Sequence, residues 1–224
     1  MANDKNINIT TIFIDCFSTI IFRNKKKNEV FKLWCKELSA KHNVSWKLLY
    51  KTYKRTNFNL CFKKLFSTFT LQEHFDVVLN KMIAKLTKKF TWLNSSFIED
   101  AKNLYYKNEL ESFTLNSKII EFLKSEKTNG KKIYLVSDFY CKSDVITYWF
   151  TALGINTIFD KIYSSCDFNK EKATTKIYKH LLKELKLNPK NVIMYGDNLW
   201  SDVLMAKKCG INAQRIKRPT TKEK

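Results

Sequence analysis

The feature that most limits what this chain can fold into is a set of short apolar runs that each stop at a polar residue. Ile9 to Ile14 ends at Asp15, Lys132 to Val136 at Ser137, Lys161 to Tyr163 at Ser164, and Val192 to Tyr195 at Gly196-Asp197. Runs of this length suit strands buried on both faces, and each is followed by a stretch with helical spacing. The pattern predicts an α/β fold, a doubly wound parallel sheet with helices on its faces. Ligands of such sheets bind outside the carboxyl ends of the strands. The polar terminators therefore belong to one candidate site, although the chain separates them widely.

Between the first and second runs the sequence reads as helices, at Asn28 to His42, Ser45 to Lys54, Leu71 to Lys89, Ser95 to Leu110 and Asn116 to Lys127. Phe31, Leu33, Trp34 and Leu38, then Phe75, Val78, Leu79, Met82 and Leu86, recur at the spacing of one helix face. This predicts an inserted all-helical cap over 24–115, on a core formed by 1–23 and 116–224, with the last helix returning to the sheet. Gly154 and Gly210 follow helical patterns at Asp144 to Leu153 and Ser201 to Cys209, where a left-handed cap residue is wanted.

With 224 residues, 44% of them hydrophobic, the chain can bury a full core. The run Ile7 to Phe22 carries Asp15 in its middle and has neither a basic leader nor a small-residue cleavage pattern. It reads as neither a membrane span nor a signal peptide, so a cytoplasmic protein without a membrane partner is expected. Six cysteines lie scattered with no CxxC pair, far from His42, His74 and His180; reduced buried thiols are the reading, not a zinc site. The net charge of +20 admits a nucleic-acid partner. The lysines are spread along the whole chain, however, and a solvated surface is the favoured reading. A field of that sign still favours anionic substrates.

Four local signals carry chemistry. The first is Ile14-Asp15-Cys16-Phe17-Ser18-Thr19, an aspartate at a strand end with a hydroxyl four positions later; alone, it can equally cap the following turn. The second is Gly196-Asp197-Asn198-Leu199-Trp200-Ser201-Asp202, where a glycine permits a tight turn and two acids five apart offer hard oxygen donors suited to Mg2+. Ser137-Asp138 and the cluster Lys170-Glu171-Lys172 complete the set: a hydroxyl able to hold a phosphoryl oxygen, and an ammonium able to orient a carboxylate and offset its charge. Taken singly, Ser137 is an ordinary turn residue and the lysines ordinary surface.

In this order, across residues 8 to 216, the chain resembles the haloacid dehalogenase superfamily. The resemblance is closest to a group whose first motif reads Asp-x-Phe-x-Thr and whose second reads Val-Ser-Asp, members often found beside polysaccharide-synthesis enzymes. Here these are Asp15-Cys16-Phe17-Ser18-Thr19, with Arg23 beyond, and Val136-Ser137-Asp138. The resemblance implies a phosphoryl hydrolase in which Asp15 attacks phosphorus to form an aspartyl-phosphate, and Thr19 and Ser137 contact the phosphoryl group. It implies Lys172 as the motif lysine, with Lys170 as the fallback. Mg2+ would be held by Asp15, the backbone carbonyl of Phe17 and Asp197, with Asp202 supporting it directly or through water.

One position departs from the pattern. Phosphomonoesterases of this superfamily usually carry a second aspartate two positions after the nucleophile, as general acid and base; here it is Phe17. The dehalogenases of the superfamily also lack that acid and use no metal. Two uncompensated carboxylates, Asp197 and Asp202, beside a nucleophilic one argue against that route, because they would raise its pKa. The expected substrate is a small phosphorylated metabolite, with a sugar phosphate in view. The competing readings are a catalytically weak binding or regulatory protein of the same fold and a phosphatase acting on nucleic-acid ends. Substrate identity and oligomeric state are not encoded in any motif present.

Overall fold

β1 (Thr11–Ile14) is buried along its whole length, because its residues face helices on both sides of a sheet. In the computed structural model, which describes residues 8–64, 75–88, 90 and 95–217, β1 is the middle strand of five. Its neighbours are β4 (Lys132–Ser137) and β6 (Val192–Gly196), with β5 (Lys161–Ser164) and β7 (Asn212–Arg215) at the edges; β2 (Ile21–Arg23) and β3 (Phe113–Leu115) form a separate pair. The order β5-β4-β1-β6-β7 is parallel throughout, with Ile14 level with Leu135 on one side and Tyr195 on the other. The chain winds outward from β1 through β4 to β5, then returns to β6 and β7 on the far side. The reversal places a topological switch point at the carboxyl end of β1, where such sheets bind ligands.

By contacts the chain divides into two units, Met1–Phe22 with Leu115–Lys224, and Arg23–Thr114. In the first, α5 (Ser117–Thr128), α6 (Ser143–Ala152), α7 (Ser165–Phe168), α8 (Lys176–Glu184) and α9 (Met205–Lys208) accompany the strands. Phe13, Val136 and Met194 from the sheet pack with Ile177, Tyr178 and Leu181 of α8 in one buried cluster. Buried apolar area of this kind is the main favourable term holding sheet and helix together.

The second unit is helical: α1 (Lys27–His42), α2 (Trp46–Lys64), α3 (Phe75–Thr87) and α4 (Ser95–Glu111). Phe31, Trp34, Phe75 and Tyr105 form its aromatic centre, where Phe75 stacks on Tyr105 at 3.8 Å between ring centroids and the Trp34 indole donates to the Ala101 carbonyl at 2.8 Å. Arg23 donates to Glu109 at 2.8 and 3.3 Å, and the Tyr105 hydroxyl donates to the same carboxylate at 2.7 Å. Glu109 is completely buried, so these donors are what make its charge tolerable.

Several elements differ from the sequence expectation. β7 carries Asn212, Gln214 and Arg215 and is half-exposed at the sheet edge, so no apolar run marks it. α2 runs to Lys64, past the expected end at Lys54, because Thr56 and Leu60 continue its buried face through weak helix formers. After the lysine cluster, α8 starts at Lys176, following a 3-10 turn at Lys172–Thr174 and Thr175 at φ +63°. The helix expected at Ser201 begins at Leu199 as a π-helix over Leu199–Leu204 and continues as α9. Within the expected helix Leu71 to Lys89, residues 71–74 and 89 lie outside the described residues. Among the described residues, no helix is long and apolar enough to cross a membrane.

Candidate active site

Asp15 follows β1 directly, and its backbone N–H continues the ladder by donating to the Tyr195 carbonyl at 2.8 Å. The chain then turns tightly: Ser18 adopts φ +64°, and Ile20 and Ile21 both donate to the Cys16 carbonyl. The turn brings Thr19 back under Asp15, where its hydroxyl donates to Oδ2 at 3.2 Å. From the opposite side the Lys172 ammonium donates to Asp15 Oδ1 at 2.6 Å and to Asp202 Oδ1 at 2.7 Å. The two donors fix the plane of the Asp15 carboxylate.

A pocket of about 180 Å³ opens at this point, lined among others by Asp15, Ser137, Lys172, Asp197 and Asp202. Asp15, Ser137 and Asp197 come from the ends of three neighbouring strands, Lys172 from the 3-10 turn and Asp202 from the π-helix, so sheet order and the elements that follow the strands bring together positions distant in sequence. Ser137 is buried at the end of β4, and its Oγ accepts from Phe139 N at 3.2 Å, leaving the hydroxyl proton free to point elsewhere. Thr19 differs from the others: it is fully buried and lies beneath Asp15, acting on the carboxylate. Lys170 is turned away, with its ammonium 3.0 Å from His180 Nδ1.

Asp15, Asp197 and Asp202 each offer a carboxylate oxygen, all within 4.8 Å of one another. Burial pushes the Asp15 carboxyl up to about 7; Lys172 opposes the rise, and Asp202 and Asp197 add to it. Burial by itself would lower the Lys172 pKa, but Asp15, Asp202 and Asp138 outweigh it and hold that pKa well above its ordinary value. Of the three crowded carboxylates, the Lys172 ammonium thus pairs with two, Asp15 and Asp202. Such a donor set, anionic, oxygen-only and convergent, fits a hard divalent cation such as Mg2+.

Three supporting contacts were not predicted from the sequence. The Asp138 carboxylate accepts the Lys172 backbone N–H, with both oxygens at 3.1 Å, and so fixes where that lysine starts. Asn198 caps the π-helix by accepting from Trp200 N and Ser201 N, while its own N–H donates to Asp202 Oδ2 at 3.0 Å. The asparagine ahead of a helical stretch is a recognisable N-cap and could have moved the expected helix start. Phe17 stacks on Phe139 with centroids 4.0 Å apart, and both rings line the pocket. The position of the usual acid and base is therefore an apolar wall.

Comparison with known proteins follows the same lines. The model of the haloacid dehalogenase-like hydrolases matches residues 9–210. Among solved structures, YfnB of Bacillus subtilis, a magnesium-bound protein assigned as a HAD-hydrolase, is 17% identical, with a TM-score of 0.56 over 96% of this chain and 91% of its own. A protein of Haemophilus somnus 129pt, assigned by prediction as a phosphoglycolate phosphatase, is 17% identical, with a TM-score of 0.54 over 94% of this chain and 86% of its own. The 2-haloacid dehalogenase of Pseudomonas syringae pv. tomato DC3000 is 12% identical, with a TM-score of 0.63 over 92% and 85%. No curated protein matches the chain in a sequence comparison. At these identities the solved structures share the fold.

Proposed function

The chain is a member of the haloacid dehalogenase-like hydrolases, and from that premise we propose that it is a Mg2+-dependent phosphatase using Asp15 as nucleophile on a small phosphorylated metabolite. The observation that carries this reading is the convergence of the Asp15, Asp197 and Asp202 carboxylates, of which the Lys172 ammonium bridges only Asp15 and Asp202. A metal-free carboxylate nucleophile would be poorly served by two further acids, which favour its protonated, unreactive form. Mg2+ held by Asp15 and Asp197, with Asp202 beside it, would offset that charge and the charge of the phosphoryl oxygens.

The chain's own residues supply the rest. Lys172 and Thr19 orient the Asp15 carboxylate for in-line attack on phosphorus, which forms an aspartyl-phosphate and expels the leaving alkoxide. The Ser137 hydroxyl donates to a phosphoryl oxygen. Phe17 cannot protonate a leaving group, and general acid help is worth roughly 10²–10⁴-fold. Substrates with stable leaving groups are therefore favoured over simple alkyl phosphates.

The test is phosphate release from p-nitrophenyl phosphate, whose leaving group needs no protonation, with and without Mg2+. Wild type is expected to turn over only with the metal, and Asp15→Asn to lose on the order of 10³-fold or more. Absence of turnover by folded, Mg2+-loaded protein would shift the reading to a binding protein that kept the fold.

A further inference from the structure

A cavity of about 430 Å³ lies within the helical unit, between α2 and α3. Lys51, Thr52, Arg55, Thr56 and Asn59 of α2 line it, at the three- and four-residue spacing of one helix face. Lys85 reaches it from α3, and its ammonium donates to Thr56 Oγ1 at 3.1 Å. A helix face turned toward a neighbouring helix is ordinarily apolar. On α2 the adjoining stripe of Leu49, Tyr53 and Leu60 does that packing and is buried. The cavity stripe instead carries cations, hydroxyls and an amide, with Leu48 at its start as the one apolar residue lining it among the described residues. Thr56, only 1% exposed, places a hydroxyl deep among them.

Among the described residues, no carboxylate lines this cavity. Lys51, Arg55 and Lys85 place three positive charges on one concavity, and a bound anion there is attracted by all three. Arginine adds a planar fork of donors matched to phosphoryl oxygens, while the two ammoniums act as point charges from both helices. Cations contributed by two helices suit a multiply charged phosphoryl group better than a singly charged carboxylate. The volume lies in the range of small-molecule pockets, roughly 300–1,000 Å³.

We propose that this cavity binds a small phosphorylated anion, independently of the chemistry at Asp15. It shares no lining residue with the Asp15 pocket. The experiment is calorimetric titration of the full chain with inorganic pyrophosphate, at low salt and without divalent metal. One site is expected, weakened at least tenfold in Arg55→Gln and likewise in Lys85→Gln, and unchanged in Ser137→Ala, which alters the other pocket. Both cavity residues are exposed, so each variant is expected to retain the wild-type circular dichroism spectrum. Citrate is expected to bind at least tenfold more weakly than pyrophosphate.

Equal weakening in Lys25→Gln, an exposed lysine outside the cavity, would overturn the proposal in favour of general attraction to the net charge. Citrate binding as tightly as pyrophosphate would remove the phosphoryl assignment. Displacement of pyrophosphate by an RNA oligonucleotide with steep salt dependence would replace the small anion by a nucleic acid.

Discussion

Gly196 shows how narrowly the site is built at the level of single residues. A Cβ there would overlap the Asp202 carboxylate, which packs directly on the glycine backbone. That carboxylate is held by Lys172, by Asn198 N and by the Ser201 hydroxyl, so it has no free direction in which to yield. Gly196→Ala is expected to cost about 1–3 kcal/mol of stability, the usual penalty for overpacking. It should also lower Mg2+-dependent turnover of p-nitrophenyl phosphate by about tenfold or more, since a 1 Å displacement at a reacting centre can cost more than that. Thermal unfolding and the same phosphatase assay check both; an unchanged variant would mean that Asp202 moves without consequence. The sequence pointed to a glycine beside two acids, but only the folded chain gives that glycine a contact.

At the level of elements, Asp160 ties the start of the β4–β5 pair to α5. Its carboxylate accepts from Ile133 N at 2.8 Å, from the Lys132 ammonium at 3.0 Å and from the Lys127 ammonium. Burial pushes its pKa up, but the donors from Lys127, Ile133 and Lys132 together outweigh that and leave it below the usual carboxylate value. A lowered folded-state pKa means that its contribution is full above the unfolded value of about 3.9 and is lost as pH falls through the folded one. Asp160→Asn should therefore be less stable than wild type by about 1 kcal/mol at pH 7, after solvent screening, with the gap closing toward pH 3. Urea unfolding at several pH values measures it; a gap that widened in acid would contradict the assignment. Elements with strong apolar signals, such as β1 and β4, were legible in sequence. β7 was not, because an edge strand with polar residues is specified by its neighbour's ladder and has little apolar pattern of its own.

For the whole molecule, the proposed Mg2+ binding would be linked to folding, because the carboxylates converge only in the folded chain. Mg2+ at 100 times its dissociation constant should add about 2.7 kcal/mol to wild-type stability, and Asp197→Asn should lose most of that gain. Thermal unfolding in MgCl2 against NaCl of matched ionic strength distinguishes this from general screening; the same gain in both proteins would mean that the ion sits elsewhere. By itself, the sequence determined the α/β class, the helical insertion and the strand-end polar residues, because hydrophobic periodicity and turn chemistry are local properties. Only the tertiary structure decided that Lys172 and not Lys170 reaches Asp15, that Thr19 lies under the carboxylate, and that Phe17 meets Phe139. The place of Thr19 depends on the turn at Ser18, whereas the contacts of Lys172 and Phe139 depend on strand order and on side-chain packing across long sequence separations, which no local pattern encodes.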